Sequence, residues 1–170
     1  TAQLAELVRR QAPGFAVEMS YEKCGIMQSV KVCAAQSEKY VLLNGSKQPL
    51  SCLYGGLTAV ASIPEDVQLI KGAPTHRRDY LDCQLQQIDP LYNHHLRRYA
   101  RALKQRNILL KNRSVDTLES WEYELAHSAS YLMRQRNQTV GMLTPKFKTI
   151  YSHLCGTESD LTLRYKPGVS

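Results

Sequence analysis

The sequence carries few of the features that announce chemistry. Its five cysteines, Cys24, Cys33, Cys52, Cys83 and Cys155, are odd in number, and no two stand at C-x-x-C spacing. That excludes a disulfide framework or a zinc ribbon. Buried free thiols in a reducing cytoplasm are the expectation. No run reaches the roughly 18 apolar residues of a membrane span, and no secretory signal is expected. The chain starts at Thr1, already inside a helical pattern, which reads as a piece of a longer protein. Absent too are H-E-x-x-H, G-x-S-x-G and G-x-x-x-x-G-K-[ST]. Gly45-Ser46-Lys47 matches the end of the last of these but lacks the upstream glycine. No apolar strand ends in an acidic pair of the Walker B kind. His94 and His95 are adjacent, so on a helix they point about 100° apart and cannot share a metal. His76, His127 and His153 are isolated. Taken by itself the chain shows no catalytic residues and no metal ligands.

What is present is globular composition: 170 residues, 43% hydrophobic and 22% charged. That length suits one domain or two small pieces of something larger. The net charge is +7, from 22 Lys plus Arg against 15 Asp plus Glu. Such an excess points to a polyanionic partner, nucleic acid first and anionic membrane second.

The apolar pattern divides the chain. Residues 2–11 predict a short helix closed by Pro13-Gly14. Residues 15–23 alternate, with Phe15, Val17, Met19 and Tyr21 on one face, and 26–34 and 39–43 are also strand-like. Cys24-Gly25 and Asn44-Gly45 are turns, and 50–54 suits one helical turn. The apolar run 57–61 suits a strand buried on both faces. From Val67 the period becomes helical. Thr75 is expected to cap a helix to about Ile88. Asp89-Pro90 opens another that runs to Lys111, striped by Tyr92, Leu96, Tyr99, Leu103 and Leu110. Asp116 is expected to cap a third, striped by Leu118, Trp121, Leu125, Ala129, Leu132 and Leu143. Pro145 is expected to break it and start a fourth, to about Leu154. Residues 161–165 alternate again, like a strand returning to the first region. The fold class is therefore α+β: a partial, antiparallel-rich sheet and an inserted, mainly helical domain with long antiparallel helices.

On a helical wheel Arg97, Arg101, Lys104 and Lys111 fall within a sector of roughly 80°. The apolar stripe lies well over a quarter turn away. These four can meet successive phosphates along a nucleic-acid strand; a solvated basic face is the plainer reading. Tyr92 and Tyr99 lie in the stripe, where core packing outweighs base stacking. Arg77-Arg78 stand in a helix first turn, against the dipole, so they call for an acidic partner or an anion. Glu65 and Asp66 are the nearest candidates.

Several motifs recur in order: Pro64-Glu65-Asp66, Lys71-Gly72-Ala73-Pro74, Arg77-Arg78, Tyr80-Leu81-Asp82, the block Gln105-Arg106-Asn107-Ile108-Leu109-Leu110-Lys111, Trp121-Glu122, and the tail Leu161, Leu163, Tyr165, Pro167. Together they resemble the RecF family, bacterial recombination mediators with an ATP-binding-cassette-type ATPase core. The resemblance is clear over about 60–167 and loose over 1–59. Gly168 stands where the family often has serine, and the Pro64-Glu65-Asp66 turn has no glutamine, Gln68 following two residues later. The resemblance implies a P-loop before this stretch and signature and Walker B segments after it. It implies ATP and Mg held by the full-length protein and none by this stretch alone, and an ATP-dependent homodimer. It also implies binding to single-stranded and gapped or duplex DNA, work with RecR and RecO to load RecA, roles in replication restart and the SOS response, and a cytoplasmic location. On this view 1–66 are later strands of the nucleotide-binding lobe, 67–157 a helical lid or arm, and 158–170 a returning strand. Arg97, Arg101, Lys104 and Lys111 then face DNA, and Glu65, Asp66, Arg77 and Arg78 form a nucleotide-linked hinge. The alternatives are a non-enzymatic basic helical scaffold or nucleic-acid-binding module, and a helical surface docking an acidic protein.

Overall fold

The computed structural model describes residues 4–35, 38–54, 56, 58–158 and 160–168. They form two compact units, 1–58 and 59–170.

The first unit is a four-stranded antiparallel meander. Strands β1 (Gly14–Lys23), β2 (Ile26–Ala35), β3 (Lys39–Leu43) and β4 (Ser46–Gln48) lie side by side in chain order. Two of the hairpins turn on two residues with positive φ, Cys24-Gly25 (52° and 77°) and Asn44-Gly45 (48° and 82°). Such turns match the right-handed twist of the flanking strands. Asn44 is pinned further: its Oδ1 accepts from Ser29 N at 2.8 Å, and its Nδ2 donates to Gln28 Oε1 at 2.6 Å. The register sets Phe15, Val17 and Met19 opposite Ala34, Val32 and Val30. Val32 and Val30 in turn oppose Val41 and Leu43. One face is therefore continuously apolar, with Val30, Ala34 and Val41 buried.

Two expectations for this region change. The helix over 2–11 shrinks to a 3-10 turn at Leu4–Leu7, with Ala2 and Gln3 outside the described residues. The doubly buried strand over 57–61 does not form. Leu57 lies outside the described residues, and Val60 is 76% exposed. One backbone group here is satisfied without a ladder: Ala59 N donates to the Gln87 side chain at 2.7 Å.

The second unit is helical: α1 (Gln68–Lys71) after a 3-10 turn at Pro64–Val67, then α2 (Pro74–Ile88), α3 (Pro90–Lys111) and α4 (Leu118–Cys155). Helix α2 starts one residue before the expected cap; Ala73 is its N-cap and Pro74 its first residue, where the missing N–H costs nothing. Asp89 caps α3 as expected, accepting from Leu91 N at 2.9 Å. Helix α3 ends with Ser114 N bonded to Leu109 O and Arg113 N to Leu110 O, Arg113 taking φ 54°. This is the Schellman closure, here without its usual glycine.

Helix α4 differs most from expectation. Thr117, not Asp116, holds the cap position, and the helix runs 38 residues straight through Pro145. Proline removes one N–H and crowds the carbonyl four residues upstream. That residue is Gly141, whose backbone yields most easily. Nor is there a strand over 161–165. The alternation survives, with Leu161, Leu163 and Tyr165 half-buried and Thr162, Arg164 and Lys166 exposed. The segment lies along α4, where Leu163 O is 3.3 Å from Thr144 Oγ1. The cysteines are free, but none of the five is buried.

The helical core holds Leu85, Tyr92 and Leu132, with Leu96, Tyr99 and Tyr131 against it. A polar knot sits inside it. Arg136 donates to Asp82 through Nε at 2.8 Å and Nη2 at 2.7 Å. The fully buried Tyr92 donates its hydroxyl to Asp82 Oδ1 at 2.5 Å and accepts from Arg136 Nε at 3.1 Å. Tyr165 of the C-terminal segment lines the same groove as Arg136. One carboxylate thus ties α2, α3 and α4 together.

Breaking a buried pair from one side strands the other charge, at about 3–5 kcal/mol. Asp82→Ala and Arg136→Ala are each expected to lower the unfolding free energy, followed by helical circular dichroism in urea, by that order. The double variant Asp82→Leu/Arg136→Met should lose less than either single change, because no charge is left unpaired. A double variant as unstable as the sum of the singles would contradict the knot.

Candidate nucleic-acid interface

Helix α3 carries cations on two sides, and they fare differently. Toward α4, Arg98 forks onto Glu124 through Nε and Nη2, and Arg106 Nε meets Glu122 at 2.9 Å. Asp89–Tyr131, His95–Ser128, Arg98–Glu124 and Arg101–Trp121 step in opposite directions along α3 and α4. The two helices are therefore antiparallel.

On the outer side Arg97, Arg101, Lys104 and Lys111 are all exposed. Among the described residues none of the four meets a carboxylate. Arg101 lies over the Trp121 ring, 5.8 Å from its centroid, which orients the guanidinium without neutralising it. The four expected residues are thus all solvent-exposed and uncompensated, with Arg101 leaning on Trp121 of α4 and Lys104 and Lys111 bordering a groove shared with α4. Tyr92 is fully buried and Tyr99 packs on the core, so neither offers a free ring face.

The hinge residues meet different partners from those expected. Arg77 Nη1 donates to Leu69 O at 3.0 Å and Gly72 O at 3.2 Å. Its charge sits on the carbonyl end of α1, where the dipole favours it. Asp66 instead accepts from Ile63 N at 3.0 Å, closing the 3-10 turn. Glu65 and Arg78 have no ionic partner among the described residues. Arg77, not an acidic residue, is what joins α1 to α2.

Gly45-Ser46-Lys47 belongs to the β3–β4 hairpin, with Lys47 paired to Glu38 at 3.1 Å. No group of three or more potential ligands is placed to hold a cation among the described residues.

Sequence reasoning passes over one cluster. His127 lies near His95, ring centroids 5.5 Å apart, and His94 meets His95 edge-on at 5.6 Å. His95 is buried, stacked on Tyr131 at 4.4 Å, with Nδ1 3.5 Å from Ser128 Oγ. Ser128 Oγ donates to Glu124 Oε1 at 3.2 Å. The Arg98 guanidinium holds the Glu124 carboxyl below the usual carboxylate range. Burial first, then the charges of His127, His94 and Arg98, lower the His95 pKa below 6.5, with Glu124 opposing. The readable signal was the spacing: His127 sits one residue from Ser128 on the α4 side that meets α3.

Because the folded state resists protonation of His95, the unfolded state binds that proton more readily. Stability is therefore complete above pH ~6.5 and declines as pH falls from there through the lowered folded value. Thermal melts between pH 7.5 and 5 should show this decline, and His95→Phe should flatten it. A parallel pH profile in the variant would remove His95 as the cause.

No protein-family model matches the chain. Curated relatives do. The chain is 42% identical over 167 residues to the DNA replication and repair protein RecF of Protochlamydia amoebophila, covering 98% of this chain and 46% of that protein. It is 31% identical to the RecF of Acetivibrio thermocellus, covering 99% and 48%, and 34% identical to that of Chlamydia abortus, covering 90% and 42%. A solved structure of the recombination mediator protein RecF with an ATP analogue, in the RecFOR pathway, superposes with a TM-score of 0.82 at 25% identity. It covers 91% of this chain and 44% of that one. The chain spans a little under half the length of these relatives, and over nearly all of its own length, in sequence and in fold, it belongs to the RecF family.

Proposed function

We propose that the chain serves DNA replication and repair as the sheet and helical-arm part of a RecF-type recombination mediator. The outer side of α3 meets DNA through Arg97, Arg101, Lys104 and Lys111. The observation that carries this reading is the division of charge on α3. Cations facing α4 are neutralised by Glu122 and Glu124, while these four are exposed and uncompensated. Unpaired, solvent-facing cations spaced along one helix are what a phosphate backbone recruits, with release of its counterions.

On the same reading the 1–66 region belongs to the nucleotide-binding lobe and 67–157 to the lid. Glu65, Asp66, Arg77 and Arg78 transmit the nucleotide state to the arm. The solved relative carries an ATP analogue, which supports ATP, with Mg, as the cofactor of the whole protein, held by residues outside this chain. ATP hydrolysis, ATP-dependent dimerisation, cooperation with RecO- and RecR-type mediators, RecA loading, replication restart and a part in the SOS response belong to that whole protein in the cytoplasm.

The test is fluorescence anisotropy with labelled single-stranded and gapped oligonucleotides across a salt series. Arg97→Ala/Arg101→Ala/Lys104→Ala should weaken binding. The log–log salt slope should become shallower by about 2 to 3, roughly 0.7–0.9 for each phosphate no longer neutralised. Binding unchanged at low and moderate salt would remove DNA from this face.

A further inference from the structure

A second surface lies beside the basic side, and its chemistry is different. A groove of about 1380 Å³ opens between α3, α4 and the C-terminal segment. Its floor is apolar and half-buried: Leu96, Tyr99 and Leu103 from α3, Leu125 and Met133 from α4. Ala100 and Ala126 also line it and are exposed, and their short side chains leave it open. Around it stand Arg78, Lys104, Lys111 and Lys166, all without an acidic partner among the described residues. Of the lining carboxylates, Asp82 and Glu122 are already paired to Arg136 and Arg106. That leaves Asp79 against four cations.

We propose that this groove docks an acidic amphipathic helical segment of a partner protein, its apolar side on the apolar floor and its carboxylates toward the basic rim. Three features favour that occupant. The volume exceeds the ~300–1,000 Å³ of a small-molecule site. Two rows of apolar residues at helical spacing accept the i, i+3, i+4, i+7 anchors of a helix laid into a groove. The rim is complementary to carboxylates, which raises the association rate and rejects basic partners. Nucleic acid suits the floor poorly. Bases need exposed ring faces to stack on, and Leu, Met and a half-buried Tyr99 supply none.

The test uses this chain and a fluorescein-labelled peptide with Leu at i, i+3, i+4 and i+7 and Glu elsewhere. A scrambled peptide of equal composition is the control. By anisotropy the amphipathic peptide should bind at least about tenfold tighter than the scrambled one, a difference of about 1.4 kcal/mol. Ala100→Trp and Ala126→Trp, which fill the groove from exposed positions, should each cost about tenfold with unchanged thermal melts. Lys166→Glu should weaken binding severalfold. Arg97→Ala/Arg101→Ala lies outside the groove and should leave peptide affinity intact while lowering oligonucleotide affinity, so docking and DNA binding fail separately. Equal binding of the scrambled peptide, or no effect of either tryptophan, would overturn the proposal. Loss of oligonucleotide binding in the tryptophan variants without any peptide binding would make the groove a nucleic-acid surface instead.

Discussion

The helical unit depends on one buried carboxylate. Asp82 is contacted by Arg136 from α4 and Tyr92 from α3. Desolvation of Arg136 opposes its charge, but the hydrogen bonds it donates to Asp82 and the Asp82 charge more than restore it. Burial, then the bond to Asp82, raises the Tyr92 pKa, so that hydroxyl stays protonated and remains the donor. A buried ion pair adds little net stability compared with a well-packed apolar replacement. What it adds here is geometry. Its bonds are directional, and any rotation of α3 or slip of α4 would leave a buried charge or hydroxyl unpaired.

That geometry decides which cations are free. With Tyr92 fixed on Asp82 and Asp89 bonded to Tyr131, the phase of α3 is set. Arg98 then falls beside Glu124 and Arg106 beside Glu122, while Arg97, Arg101, Lys104 and Lys111 turn to solvent. Arg97 and Arg101 differ from Arg98 and Arg106 only in helical angle, not in side-chain type, so the core assigns their role.

Much of this was legible in the chain, and the failures share a cause. Period-two alternation and the Cys24-Gly25 and Asn44-Gly45 turns marked the meander, because in a hairpin the partner is local. The Asp89-Pro90 start of α3 was legible because cap and proline act within one turn. Alternation over 161–165 correctly told which side chains face inward. It did not tell that they face a helix, since periodicity encodes a side and not a partner. The run 57–61 misled in the same way. Pro145 read as a breaker because proline removes one hydrogen bond; a long packed helix with Gly141 at the crowded carbonyl tolerates that loss. Asp82 and Arg136 were overlooked because charge reads as surface. Yet Arg136 continues the stripe Leu125, Ala129, Leu132 at its next position, and Asp82 sits three residues before buried Leu85. A charge in an apolar phase on two helices is the signature of a buried pair.

The same logic explains how one helix can serve two surfaces. Along α3, Arg97 and Arg101 stand clear of the α3–α4 groove, whereas Lys104 and Lys111 lie on its rim. A phosphate backbone needs only charge and reach, so it is satisfied by the outer side. An amphipathic helix needs an apolar floor as well, which the groove lined by Leu96, Leu103, Leu125 and Met133 supplies. Lys104 and Lys111 belong to both. Occupancy of the groove by carboxylates would neutralise them and leave Arg97 and Arg101 as the remaining free cations of the proposed DNA-binding side. Because coupling of this kind is reciprocal, DNA held on the outer side would weaken an acidic partner by the same factor, so the two ligands compete through shared charge rather than shared space.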